Sequence, residues 1–141
     1  MKKYLAILLC LLCSVFGCSS EKSAANKRVD VDLTAMSDTM AFAQASGIYK
    51  APNTWRGKTI KVRGSYKVDY YDEGGKYYHF VLITGDACCQ QGFEFIRNGA
   101  YTYPTDYPKE GAQIEIVGVF SHYTDRNRTF YYLDASALSV L

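Results

Sequence analysis

The residues of this chain whose type and spacing most directly carry chemistry are two adjacent thiols, Cys88 and Cys89. Neighbouring cysteines have three physical options. An oxidising compartment permits a vicinal disulfide, whose small ring strains the peptide and makes the bond easily reduced, as a redox switch requires. Two thiolates also suit a soft metal, Zn(II) or Cu(I), with further ligands drawn from His79, His122, Asp86 or Glu94. Adjacent strand side chains point to opposite faces, so chelation by both needs a turn, which Gly85-Asp86 just upstream permits. The spacing departs from zinc patterns such as C-x-x-C. The third option is packing alone, with one Cys inward as a small hydrophobe and the other at a strand edge.

Tyrosine is the second chemical feature, with all but Tyr4 of the 13 following the N-terminal apolar run. Tyr66, Tyr70, Tyr71, Tyr77 and Tyr78 flank one predicted hairpin, and Tyr123, Tyr131 and Tyr132 flank another. Lys61, Arg63 and Lys67 alternate along the strand that carries Tyr66. A face built from Tyr66, Tyr70, Tyr78, Lys61 and Arg63 would stack and charge-pair with a saccharide, a peptide or a polyanion. Tyrosine is equally at home on any half-buried sheet, so the same residues also read as structure.

Catalytic signatures are absent: there is no Ser nucleophile elbow, no HExxH and no phosphate-binding glycine loop. A Cys88 or Cys89 nucleophile with His79 as base is a question of geometry that spacing leaves open. A non-catalytic role is the expectation.

The elements that position these residues begin with an export signal. Met1-Lys2-Lys3 is positive, and Tyr4 to Val15 is apolar apart from Ser14. The run is shorter than the roughly 20 residues that a membrane-spanning helix needs. It ends in Val15-Phe16-Gly17-Cys18, the order of branched, small and Cys that lipoprotein signal peptidase reads. The expectation is a signal peptide over residues 1–17 and lipidation of Cys18, with acyl chains holding the chain to an envelope membrane. Ser19-Ser20 lacks the acidic residue that retains lipoproteins at an inner membrane, so an outer-membrane address is expected where the cell has one.

Removing Lys2 and Lys3 leaves 14 basic and 14 acidic residues, and the formal charge falls from +2 to zero. A neutral domain gives no electrostatic reason to bind nucleic acid, which is not an expected partner. Residues 18–33, polar from Ser19 to about Val31, read as a flexible tether, with a frayed first strand over Val29 to Leu33 as the alternative. Residues 34–141 form one small domain.

That domain opens with a helix over about Ala35 to Ser46, capped by Thr34 or Ser37 and stopped at Gly47. Met36, Met40, Ala43 and Gly47 share one helical face, expected to pack on the core. The period then changes to two. Strands are expected over Lys58 to Tyr70, bent at Gly64, then Lys76 to Thr84, Cys88 to Ile96, Gln113 to Tyr123 and Thr129 to Leu138. Asp72-Glu73-Gly74-Gly75 and Asp125-Arg126-Asn127-Arg128 supply turns. Five strands with a long connection between the third and fourth predict a mainly β fold: a small five-stranded OB-like barrel with one N-terminal helix.

Several segments carry a resemblance: Gly57-Lys58-x-Ile60-Lys61-x-x-Gly64, Ala87-Cys88-Cys89-x-Gln91-Gly92-x-Glu94-Phe95, Tyr103-Pro104-x-x-Tyr107-Pro108 and Gly118-x-Phe120. Over roughly residues 35 to 141 the chain resembles a group of small bacterial lipoproteins with an OB-like domain. The resemblance implies fold and export, and no activity. The expected function is a membrane-tethered, non-catalytic binding or accessory module. The alternative is a metal-binding or thiol-redox protein that uses Cys88 and Cys89 with His79 and Glu94, its cofactor Zn or Cu.

Overall fold

The computed structural model describes residues 28–85 and 89–141. The expected signal segment, Cys18, Asp86 and Cys88 lie outside the described residues. Among those residues no helix is long and apolar enough to cross a membrane.

The chain is mainly β. It runs β1 (Val31–Asp32), a 3-10 turn (Leu33–Ala35), α1 (Asp38–Lys50), α2 (Pro52–Trp55), β2 (Thr59–Tyr71), β3 (Lys76–Thr84), β4 (Gln90–Arg97), β5 (Gln113–Asp125) and β6 (Arg128–Val140). Six strands form one mixed sheet in the order β1-β2-β3-β4-β6-β5, and β2 pairs again with β5. The hydrogen bonding therefore closes into a ring through five strands. All its pairings are antiparallel except β4 with β6, which run parallel.

One strand makes closure possible by changing partners. Thr59 to Ser65 of β2 pair with β5, and Ser65 to Tyr71 pair with β3. Gly64 stands at the changeover, where a Cβ would lie 2.1 Å from the Leu82 carbonyl oxygen. Only glycine lets β3 come this close, so the bend expected there has a steric cause. The interior follows the two-residue period: Ile60, Val62 and Tyr66 of β2, Val81 and Ile83 of β3, Phe93 and Phe95 of β4, and Ile114, Ile116 and Phe120 of β5 are buried together.

Each end of the interior has its own cover. α1 packs against β3 and β4, and its Tyr49 stacks on Phe93 at 5.3 Å and meets Phe120 edge-on at 5.9 Å. The connection from β4 to β5 covers the other end, where Tyr107 stacks on His79 at 3.9 Å. This connection is a loop and not a helix.

Three details depart from the sequence-based expectation. The helix is shifted, running Asp38–Lys50 with Ser37 as its N-cap, and Gly47 lies inside it. Pro52 sets the end instead, because the residue before a proline is driven out of the α region; Ala51 sits at φ −132 and ψ 57. The buried stripe is Ala41, Ala45 and Ile48, while Met40 of the expected Met36, Met40, Ala43, Gly47 face is 62% exposed. In an Ala- and Gly-rich segment, apolar spacing alone fits more than one face. A second helix, α2, also forms where only one helix was expected.

The sheet and core also include residues before 34. Val31–Asp32 pair in parallel with Ile60 and Lys61, and Leu33 is 2% exposed. The Asp30 carboxylate accepts from the Thr59 N–H at 2.8 Å, and the Asp30 N–H donates to the Thr59 carbonyl. The last residues of the expected tether thus belong to the sheet.

Candidate binding groove

Two hairpins run past the ring, and the registers show how. Tyr66 to Tyr71 and Lys76 to Val81 pair with each other, but β3 meets β4 only from Phe80 onward. Likewise β5 and β6 pair out to Asp125 and Arg128, but β6 meets β4 only from Tyr132 onward. Glu94 is the residue of β4 that pairs with both Phe80 and Tyr132. It therefore sits at the root of two projecting two-stranded tongues.

Between the tongues lies an open groove of about 1070 Å³. Period two decides what faces it. Phe80 lies opposite Glu94, and Tyr78 and Lys76 follow on the same face. From the other tongue, Tyr123 and Phe130 are a cross-strand pair with rings stacked at 5.4 Å. Tyr71 meets Tyr78 edge-on at 6.0 Å. Asp69, Glu73, Asp125, Arg126 and Arg128 complete the rim.

The Glu94 carboxylate is the chemically unusual group here. Its residue lies on the outer face of β4 yet is only 8% exposed, because the β5–β6 tongue leans over it. The Tyr123 hydroxyl faces both carboxylate oxygens, at 3.2 and 3.1 Å. Burial pushes the carboxyl above its usual range, against the opposing pull of that hydroxyl and of the Lys76 charge. Burial and the same carboxylate push the Tyr123 phenol upward, so it stays protonated and donates. The Lys76 ammonium lies 5.0 Å from the Tyr78 ring centroid and 5.6 Å from that of Tyr123. At the tips Arg126 bridges to Glu73 at 2.9 Å, joining the two turns across one end of the groove.

Turn chemistry explains the tongues. Arg126 and Asn127 have φ of 45 and 63, the pair of left-handed residues that a tight two-residue hairpin needs. Gly75, at φ 60, closes the other turn.

The residues named from sequence are dispersed. Tyr78 and Glu94 line the groove. Tyr66 is 1% exposed and points inward, so it presents nothing to a surface ligand. Its hydroxyl and His79 Nδ1 share a hydrogen bond of 2.7 Å. Tyr70 packs at a tilt against Tyr77, ring centroids 4.9 Å apart, outside the groove lining. Lys61 and Arg63 both pair with Glu115, each at 3.2 Å, on the outer face shared by β2 and β5. The single face expected from Tyr66, Tyr70, Lys61 and Arg63 does not form, because along β2 the two tyrosines and the two cations alternate to opposite sides of the sheet. What the sequence did not show is that the face curled into a ligand-sized space is that of β3, β4 and the β5–β6 tongue.

Of the thiol constellation, Cys88 lies outside the described residues, and Cys89, His79 and Glu94 stand apart. Cys89 is an exposed free cysteine just ahead of β4. Glu94 is five positions further along, about 16 Å in extended chain. His79 faces inward and Glu94 outward, so no single ion reaches Cys89, His79 and Glu94 together. Among the described residues, no three His, Cys, Asp or Glu side chains are grouped as metal ligands. His79 is also remote from Cys89 as a base: it lies near the middle of β3, and Cys89 stands beyond that strand's C-terminal end, where its carbonyl accepts from the Gly85 N–H.

Sequence comparison adds no assignment, because the chain matches no protein-family model and no curated protein. The groove therefore has to be read from its own chemistry. It combines four carboxylates, Asp69, Glu73, Glu94 and Asp125, with three cations and five aromatic rings.

Proposed function

We propose that this chain is an envelope lipoprotein, cut before Cys18 and held by lipid there, whose residues from about 30 to 141 form an OB-like barrel serving as a non-catalytic binding module. It belongs with the small OB-like lipoproteins it resembles around Cys88-Cys89-x-Gln91-Gly92-x-Glu94-Phe95. The observation that carries this reading is the groove between the β2–β3 and β5–β6 tongues. In OB folds the equivalent space, over the second and third strands and between the loops joining strands one to two and four to five, is where ligands lie. The ring order, with β6 between β4 and β5, is the Greek-key order of that fold.

The aromatic rings supply stacking surface and the carboxylates supply hydrogen-bond acceptors, a combination that suits a saccharide or a peptide. The near balance of charge gives no pull on a polyanionic nucleic acid. The test has two parts. Mass analysis of the membrane-bound chain should find acyl groups on Cys18, and Cys18→Ser should release the protein from the membrane. Screening oligosaccharides and short peptides against the wild-type chain and Tyr78→Ala should find a ligand whose binding falls at least tenfold in the variant. An unmodified Cys18 would sink the anchoring, and equal binding by both proteins would sink the groove.

A further inference from the structure

The groove contains one feature beyond an aromatic cleft: a buried carboxylate beside rings that already carry a cation. Glu94 accepts from Tyr123 and, among the described residues, from no other donor. Lys76 rests over the Tyr78 and Tyr123 rings, yet among the described residues it makes no ion pair. Its ammonium thus occupies the position that a cation–π partner of those rings would take, next to a carboxylate it does not reach. The tether of this cation is a single flexible side chain from the edge of the groove, easily displaced into water.

Resting on the binding-module reading, we infer that the groove takes the ammonium of a cationic ligand, seated against the Tyr78 and Tyr123 rings and paired with Glu94 in the place where Lys76 now stands. Lys76 is then an internal stand-in that the ligand expels. A ligand ammonium would satisfy both the rings and the second acceptor site of Glu94, which Lys76 leaves open. A neutral sugar would leave Glu94 desolvated with only the unpaired Lys76 charge nearby, and an anion would meet it as a like charge. Phe130, stacked on Tyr123, extends the apolar wall for the ligand's methylene stem.

The experiment is calorimetric titration of the full chain in neutral detergent with trilysine amide, spermidine and the neutral trimer of N-acetylglucosamine. Trilysine or spermidine should bind, and a response to both would mark the amine alone as the recognised group. Lys76→Ala should tighten amine binding about fivefold or more, while Lys58→Ala, the same charge change outside the groove, should leave it unchanged. Glu94→Gln should weaken amine binding about tenfold with its unfolding midpoint no lower than wild type. An amine affinity that Lys76→Ala leaves unchanged or lowers would overturn the inference. Binding of the neutral trimer without the amines would overturn it and leave the groove standing. If none of the three probes binds, the cation site falls, and the groove reading is then judged by its own wider screen with Tyr78→Ala.

Discussion

The Tyr123 hydroxyl lies between the two oxygens of the Glu94 carboxylate, 3.2 and 3.1 Å away, although the two residues stand on strands that do not pair with each other. The contact exists because β5 and β6 continue past the ring and fold back over the outer face of β4. An outward-facing Glu, ordinarily solvated, is thereby enclosed. Protein stability gains nothing obvious from enclosing a charge with a single donor, since the desolvation cost exceeds what one hydrogen bond returns. That imbalance makes Glu94 the most informative side chain to alter.

Glu94→Gln removes the buried charge and keeps an acceptor for the Tyr123 hydroxyl. The expected result at pH 7 is a gain of about 1 kcal/mol in unfolding free energy. Calorimetry or denaturant unfolding measures it. A loss of similar size would show that the fold itself depends on the carboxylate.

Tyr123→Phe leaves the carboxylate in place without its donor. A loss of about 1–2 kcal/mol is expected, because a hydrogen bond to a partly buried ion is stronger than a neutral one. In a double-mutant cycle with Glu94→Gln the two effects should be coupled rather than additive.

A similar argument applies inside the ring, where Tyr66 and His79 share their hydrogen bond. Burial, assisted by the Arg97 charge, pulls the imidazole down from 6.5 to about 4. The unfolded chain therefore binds this proton more readily, so stability is complete above pH 6.5 and is lost as pH falls toward 4. The loss attributable to His79 approaches about 3 kcal/mol. Glu94 acts in the opposite sense: its raised pKa lets the folded chain hold a proton more tightly above 4.5, so folding gains as pH falls toward that value. Unfolding curves of Glu94→Gln between pH 7 and 5 should expose the His79 slope, above the range where Asp32, held below its usual value by its Thr34 hydrogen bond, begins to contribute. A flat profile in that background would contradict the buried neutral imidazole.

His79→Phe should cost about 1–3 kcal/mol by leaving the Tyr66 hydroxyl buried without a partner, and adding Tyr66→Phe should recover most of that loss. Denaturant midpoints of the single and double variants decide it.

Glycines offer a sharper contrast. Gly64→Ala drives a Cβ into the Leu82 carbonyl, 2.1 Å away, and should cost about 3 kcal/mol. Gly47→Ala meets nothing within 4 Å inside α1 and should gain up to about 1 kcal/mol. Thermal midpoints moving in opposite directions bear out both.

Much of the fold was legible because its elements are periodic. The alternation through Ile60, Val62, Tyr66 and Val68 marked β2, and Lys76–Thr84 emerged with the expected bounds. The bend at Gly64 was visible as a glycine on an apolar face. The α1 stripe was not, since Ala and Gly give little contrast between faces. The groove was only half legible. Tyr78 and Glu94 were singled out, but for different sites, because the sequence does not say that two strands continue past their neighbours and close over a third. Lys61 and Arg63 looked like a ligand face until Glu115 stood opposite Arg63 on β5 and paired with both.

The most direct test of the central claim, that the space between the two tongues is where the partner sits, is photo-crosslinking in the cell envelope. A benzoylphenylalanine probe at Phe130, in the groove, is compared with one at Lys58, outside it. The account predicts a light-dependent adduct from the Phe130 position that is absent from Lys58 and lost in Tyr78→Ala. No adduct from Phe130, or the same adduct from both positions, would contradict it.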